Sequence, residues 1–258
     1  MQFSLLVPTR ERLVEVSRLF QSLLLTVQNP SEVEILLAID KEDTRTVQYL
    51  PNLLTKYEMF KIRPFYKSSS GEFVFINRDY YNFLAEQAVG KYIWVSADDL
   101  EYKVPGWDVR IANYIETYLH NKPDRIMCAG VKDNTPKPSP HLPQFPCFPL
   151  ITREAFQYFK FVLHPFIPTW GADYLIYVLY QGAGRYHIIN DEVYINHISY
   201  HTKQCEADKT TVRIGHTFNR LKMMQVHNVD WHAANTVPTQ IAELKTYIAN
   251  WRPNEGVE

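Results

Sequence analysis

The sequence predicts an α/β protein with a mostly parallel central sheet, helices on its faces and a helical extension after residue 200. Three observations carry the prediction. Short apolar runs alternate with segments whose apolar residues recur at helical spacing, the pattern of βαβ units. Some of the runs are apolar almost without interruption, as strands covered on both faces are. Successive runs also end in charged or polar loops. A parallel sheet gathers such loops on one edge, where α/β proteins bind ligands.

Phe3 to Val7 is the first run, closed by Pro8-Thr9-Arg10-Glu11-Arg12. Leu13, Val16, Leu19, Phe20, Leu23 and Leu24 then mark an amphipathic helix that stops near Asn29-Pro30. Glu34 to Ile39 is the second strand and ends in Asp40-Lys41-Glu42-Asp43. Together they form a right-handed parallel βαβ unit. A helix from Thr44 to Phe60 around Pro51, a strand from Lys61 to Tyr66 and a flexible Ser68-Ser69-Ser70-Gly71 loop follow. Phe73 to Ala88 reads as helix, stopped by Gly90. Tyr92-Ile93-Trp94-Val95 is then the central strand, running through Ser96-Ala97 into Asp98-Asp99.

Beyond Asp99, a turn at Val104 to Asp108 leads into a helix bearing Ile111, Tyr114, Ile115 and Tyr118, and Arg125 to Val131 is a strand. Pro136, Pro138, Pro140, Pro143, Pro146 and Pro149 crowd one loop, which excludes helix and central strand. A loop of that length is expected to act as a lid or a wall of an acceptor groove. Cys147 to Thr152 returns to sheet, Glu154 to Val162 and Tyr174 to Tyr180 are helical, and Tyr186 to Ile189 and Val193 to His197 are the last strands. Helices are expected around Val212 to Val226 and from Pro238 to Trp251. The organisation is thus one domain over 1–200, with halves 1–99 and 100–200, and a helical extension over 201–258.

Composition excludes several classes. At 258 residues with 46% hydrophobic content, the chain can bury a sizeable core. Lys and Arg number 27 against 28 Asp and Glu, so no global field draws it to nucleic acid or an anionic membrane. Lys203, Lys209, Arg213, Arg220 and Lys222 outnumber Glu206 and Asp208 in one stretch, which reads as a solvated helix face or as a modest phosphate-binding patch. Three scattered cysteines make neither a disulfide framework nor a CxxC metal site. No signal-peptide pattern or transmembrane run is present, and a reducing, cytoplasmic setting is expected. Trp107, Trp170 and Trp231 are candidate stacking platforms for a sugar or core residues.

Asp98 and Asp99 at the end of the most apolar strand repel each other unless a cation lies between them or one takes a proton. The other reading is a solvated Asp-Asp turn. The order of motifs resembles the family-2-type, GT-A fold (Rossmann-like) glycosyltransferases. Val7-Pro8-Thr9-Arg10 looks like that family's opening loop, and Ile39-Asp40 like its second strand tip. Gly71, Asn77-Arg78 and Ala88 to Ile93 resemble the segment feeding the central strand. Ser96-Ala97-Asp98-Asp99 stands at the metal-binding DXD position, Trp170-Gly171-Ala172-Asp173 resembles the Gly-Glu-Asp segment, and Tyr194 to His197 looks like the closing strand. In two places the chain departs from the family, with Ser96 replacing the first acid and Ala172 the acid before the presumed base.

The resemblance implies a divalent-metal-dependent transferase, Mn2+ or Mg2+, that moves a sugar from a nucleotide sugar, expected to be a UDP-sugar, to an acceptor hydroxyl with inversion. Asp99, Asp98 and His197 are the implied metal residues, with Asp98 alternatively on the ribose and His197 alternatively structural. Asp173 is the implied base or, read locally, a helix cap. Asp40 contacts the base or caps a turn. Thr9, Arg10, Asn77 and Arg78 are candidates for the nucleotide, although Asn77 also suits a helix N-cap and the arginines a surface role. The acceptor is a saccharide, a lipid-linked glycan or a hydroxymethylated base in DNA. The alternatives are an inert nucleotide-sugar-binding module of the same fold and, behind it, a nucleotidyltransferase.

Overall fold

Strands β1 (Phe3–Thr9), β2 (Val33–Asp40) and β4 (Tyr92–Val95) are buried at every residue, as their uninterrupted apolar runs require. The structure, a computed structural model of the chain, describes residues 1–68, 75–136, 145–223 and 228–252. The Ser69-Ser70-Gly71 turn, the expected helix start at Phe73, Pro138, Pro140 and Pro143 of the proline-rich loop, the expected helix end at Val226 and the tail beyond 252 lie outside the described residues. With β3 (Lys61–Lys67), β5 (Leu100–Tyr102), β6 (Cys128–Asp133), β7 (Leu150–Thr152) and β8 (Tyr186–His197), the strands form one sheet in the order β3-β2-β1-β4-β7-β6-β8-β5. The first four strands of that order are parallel, β7 runs antiparallel to both its neighbours, β8 is parallel to β6, and β5 is antiparallel to β8. Pro64 is accommodated because β3 is an edge strand.

Alternate residues of the buried strands feed two cores. Leu5, Val7, Ile35, Leu37 and Trp94 pack under α1 (Leu13–Thr26), α2 (Thr44–Lys56) and α4 (Trp107–Leu119). Leu6, Leu36, Ile93 and Val95 pack on the other face under α3 (Phe83–Gln87), α5 (Arg153–Phe159), α6 (Ala172–Gly182) and α9 (Val237–Asn250). Trp107 is fully buried, with its ring centroid 5.3 Å from those of Phe3 and Trp94 and 4.9 Å from that of Tyr102. It is therefore core and not a sugar platform. Glu34 is a buried carboxylate inside an otherwise apolar strand. Burial would raise its pKa, but Ser4, the Val89 N–H and Arg63 outweigh that and hold it below the usual range. Gly90, which ends the helical segment, is required by packing, since a Cβ there would lie 2.7 Å from the backbone of Phe3 and Ser4.

Several elements depart from expectation. The expected Phe73 to Ala88 helix is a π-helical turn, Asn77–Asn82, continuing into α3. The two expected closing strands are one, β8, whose register jumps from Ile189 to Tyr194 opposite the consecutive residues Val131 and Lys132. That irregularity is what the break in apolar pattern reflects. α7 (Lys209–Met223) and α9 match expected helices, whereas α8 (Val229–Asn235) and β5 were not foreseen. β5 matters most to the site, because its pairing places Leu100 opposite His197.

Candidate active site

The ends of β1, β2 and β4 deliver Thr9, Arg10, Asp40, Asp98 and Asp99 to one edge of the sheet, as expected for parallel strands. The first cavity at this edge is lined by Pro8, Thr9, Arg10, Arg12, Asp40, Tyr80, Tyr81 and Asp98, and α7 closes it with Thr210, Arg213 and Ile214. Its empty volume, open mouth included, is about 560 Å³, within the range of small-molecule sites. A second cavity shares Arg12 with the first and is walled by Asn77, Asp99, Thr135, Trp170, Asp173, His197, Tyr200 and His201. Arg12 thus stands where the two cavities meet.

Asp98 and Asp99 are buried, and Arg12 Nη1 donates to both, at 3.0 Å to Asp98 Oδ1 and 3.1 Å to Asp99 Oδ2. Burial pushes the Asp98 carboxyl up to about 7, with Arg12 opposing the rise and the Asp99 charge adding to it. Asp99 feels the same burial, but His197 and Arg12 outweigh it and hold its carboxyl low. The Arg12 guanidinium loses some hold on its proton through burial and regains more from Asp98, Asp208 and Asp99, so it stays charged. Asp99 Oδ1 is buried without a hydrogen-bond partner, and His197 Nε2 lies 3.4 Å from it. The other ring nitrogen, His197 Nδ1, is 2.9 Å from Thr135 Oγ1, which fixes the imidazole orientation.

The remaining expected residues divide. Arg10 pairs with Asp40 at 2.5 Å, and Arg213 Nη1 lies 3.9 Å from the same Asp40 oxygen, so two candidates from different loops meet in the first cavity. Asp173 lies in the first turn of α6 and lines the second cavity. The cap position itself is Gly171, whose φ of +95° suits glycine and whose Cβ would stand 2.8 Å from Val229, so Asp173 is not the N-cap. Asn77 is buried in the second cavity wall, but its amide donates to the carbonyls of Ile167 and Thr169 and makes no N-cap. Arg78 is not brought to either cavity; it is 58% exposed, paired with Asp79 and stacked over Phe75. Trp170 edges the second cavity and Trp231 is exposed on α8. Ser96 is fully buried, 3.1 Å from the Tyr102 hydroxyl, so the position of the missing acid faces the core.

Arg12, Asp208 and Thr211 were missed. Arg12 looks in sequence like any charge in its loop, and Asp208 like one acid in a basic stretch. Of the basic stretch that suits a solvated helix face or a phosphate-binding patch, Arg213 enters the first cavity.

A scan of the sequence against protein-family models finds no match, and neither does a search among curated proteins. The fold does find matches. Against TarS 1–349 of S. aureus in complex with UDP the TM-score is 0.57 at 14% identity, covering 99% of this chain and 74% of that one. Against the mannosyltransferase PcManGT from Pyrobaculum calidifontis, in complex with GDP-Man and Mn2+, it is 0.56 at 12% identity, covering 98% and 76%. GalNAc-T7 with UDP, GalNAc and Mn2+ gives 0.60 at 11% identity, covering 96% and 56%. This chain has the GT-A fold. At such identities the likeness establishes the fold, and the chemistry must come from the residues.

The GT-A chain offers a metal ion a limited but suitable set of atoms. Among the described residues no cluster of three or more His, Cys, Asp and Glu side chains could hold a metal unaided. The unpartnered Asp99 Oδ1 and the facing His197 Nε2 are nevertheless both good donors for a divalent cation, with diphosphate oxygens and water able to complete the shell. No helix among the described residues is long and apolar enough to cross a membrane.

Proposed function

We propose that this GT-A protein is an inverting glycosyltransferase that takes a UDP-sugar as donor and depends on Mn2+ or Mg2+. The observation that carries the reading is the buried Asp99 Oδ1, which makes no hydrogen bond and lies 3.4 Å from His197 Nε2, at the junction of two cavities. A buried carboxylate oxygen without a hydrogen bond is costly, and a cation bound with the donor would reduce that cost. The first cavity takes the nucleotide, with Thr9, Arg10, Asp40 and Arg213 at its wall; Asp98 borders it on the metal side. Asn77 acts by holding the 167–169 backbone that leads to Trp170 and Asp173, and Arg78 has no part in either cavity.

In the second cavity the acceptor hydroxyl attacks the anomeric carbon. Its proton passes to the Asp173 carboxylate, and the bond to the diphosphate breaks with its electron pair leaving on the diphosphate. The divalent ion supplies the positive charge that stabilises this leaving group. Trp170, Tyr200 and His201 give the second cavity an aromatic wall suited to a saccharide face, and the acceptor is a saccharide, free or lipid-linked; a hydroxymethylated DNA base is the other candidate. Residues 1–99 form the donor half, 100–200 the acceptor half, and the extension from 201 completes the donor pocket through α7.

A second reading, an inert nucleotide-sugar-binding module, draws on Ser96 facing the core where an acid is usual. Thermal-shift screening of nucleoside diphosphates and nucleotide sugars, with and without Mn2+, tests the first reading. The expected result is a rise in melting temperature with UDP or its sugars that grows with Mn2+; no shift with any nucleotide contradicts it. Binding without turnover of any donor favours the inert module.

A further inference from the structure

Arg12 has five N–H donors, and each is matched to one acceptor of the protein. Nη1 serves Asp98 and Asp99, Nε and Nη2 grip the two oxygens of Asp208 at 2.5 and 3.0 Å, and Nη2 also reaches Thr211 Oγ1 at 2.8 Å. No Arg12 donor is left for a phosphate. Asp208 and Thr211 belong to the start of α7. Asp208 Oδ1 accepts from the Thr211 N–H at 2.7 Å, so the acid that holds Arg12 also caps the helix. A cation at a helix N-terminus is otherwise opposed by the helix dipole, so the contact depends on the Asp208 charge. The first two turns of α7 carry Thr210, Arg213 and Ile214 into the donor cavity, with Thr210 Oγ1 donating to the Arg10 carbonyl at 3.0 Å.

We infer that Arg12 is a positioning residue that ties the first turn of α7 to the Asp98–Asp99 pair, so that the shape of the donor cavity depends on those carboxylates. It binds Asp99 through Oδ2 alone and leaves Oδ1 to the His197 side, so the tie and a metal ion use different oxygens. The nucleotide part of the inference rests on the proposed function; the mechanical part does not.

Amide hydrogen exchange of the full chain without nucleotide or metal tests the tie, and β1 and β2 amides report that each variant is folded. Arg12→Gln, Asp208→Asn and Asp99→Asn are each expected to speed exchange of residues 211–216 about tenfold. Asp99→Asn is expected to add nothing further once Arg12 is Gln, the non-additivity of a shared contact. Exchange unchanged in Asp99→Asn, or effects that add, overturn the inference. Asp208 is half-exposed, so its variant is expected to fold even where Asp99→Asn does not, and unchanged exchange in Asp208→Asn is equally fatal. Calorimetry with UDP alone supplies a readout that a purely structural contact would not move. Asp208→Asn is expected to weaken UDP about fivefold, and unchanged affinity overturns the link to the donor cavity. If the wild-type protein binds no UDP while the exchange pattern holds, the nucleotide reading fails and the tie stands.

Discussion

Asp99→Asn is expected to lower Mn2+-dependent donor turnover by about a thousandfold or more, because the amide keeps the shape but removes the charge that would hold a divalent ion against the diphosphate. The structure gives a reason to single out Asp99 over its neighbour. Both have one oxygen on Arg12, but burial pushes the Asp98 carboxyl up, whereas Asp99 is held low by His197 and its Oδ1, 3.4 Å from the imidazole, makes no hydrogen bond. A steady-state assay of sugar transfer or donor hydrolysis over a range of Mn2+ checks this. Turnover equal to the wild-type protein removes Asp99 from the metal site, and with it the role given to His197.

The second large effect is expected at Asp173. Asp173→Asn should leave UDP affinity within about twofold of wild type and reduce transfer by roughly 10²–10⁴-fold, the range for loss of a general base. The expectation depends on where α6 begins. Gly171, with φ +95°, turns the chain so that Trp170 and Asp173 both edge the second cavity. Since Gly171 is the cap position, a lost cap does not compete as an explanation. A combined measurement of UDP binding and transfer separates the outcomes, and transfer at the wild-type rate returns Asp173 to a role in the helix dipole alone.

Much of the sheet edge that carries the first cavity was legible because it is local. Phe3 to Val7, Glu34 to Ile39 and Tyr92 to Val95 are strands whose burial on both faces writes itself as an apolar run, and each run hands a polar tip to the same edge. What was not legible depends on distant pairing. β5 is three residues, Leu100-Glu101-Tyr102, with no period to read, and it exists because Leu100 finds His197 across 97 positions of chain. That pairing is also what sets Asp99 beside the imidazole, since the Ile198 N–H donates to the Asp99 carbonyl at 2.9 Å. Arg12 was hidden for a similar reason. Within its loop it is one of two arginines, and only Asp208 and Thr211, nearly 200 residues on, show that it joins α7 to the carboxylates. For Asn77 and Trp107 the residue type alone left the role open. Both are residue types that suit ligand contacts, and both are absorbed by the protein, one by backbone carbonyls and one by an aromatic core.

The extension after residue 200 shows what composition leaves open between a solvated face and a site wall. An excess of lysine and arginine along a helix usually marks a solvated face, yet α7 turns Arg213 toward Asp40 and Thr210 toward the Arg10 carbonyl. The first cavity is therefore made from residues 8–98 together with Thr210, Arg213 and Ile214 of α7, and a protein truncated near residue 200 would lack one wall of it.

The central claim is that Asp99 and His197 form a cation site completed by a nucleoside diphosphate. Titration of Mn2+ into the wild-type protein with and without UDP, followed by the loss of the free-ion electron paramagnetic resonance signal, tests it most directly. The expected result is weak Mn2+ binding alone, one tight site in the presence of UDP, and loss of that site in Asp99→Asn. Mn2+ binding that UDP leaves unchanged, or a UDP-dependent site that survives Asp99→Asn, would contradict it.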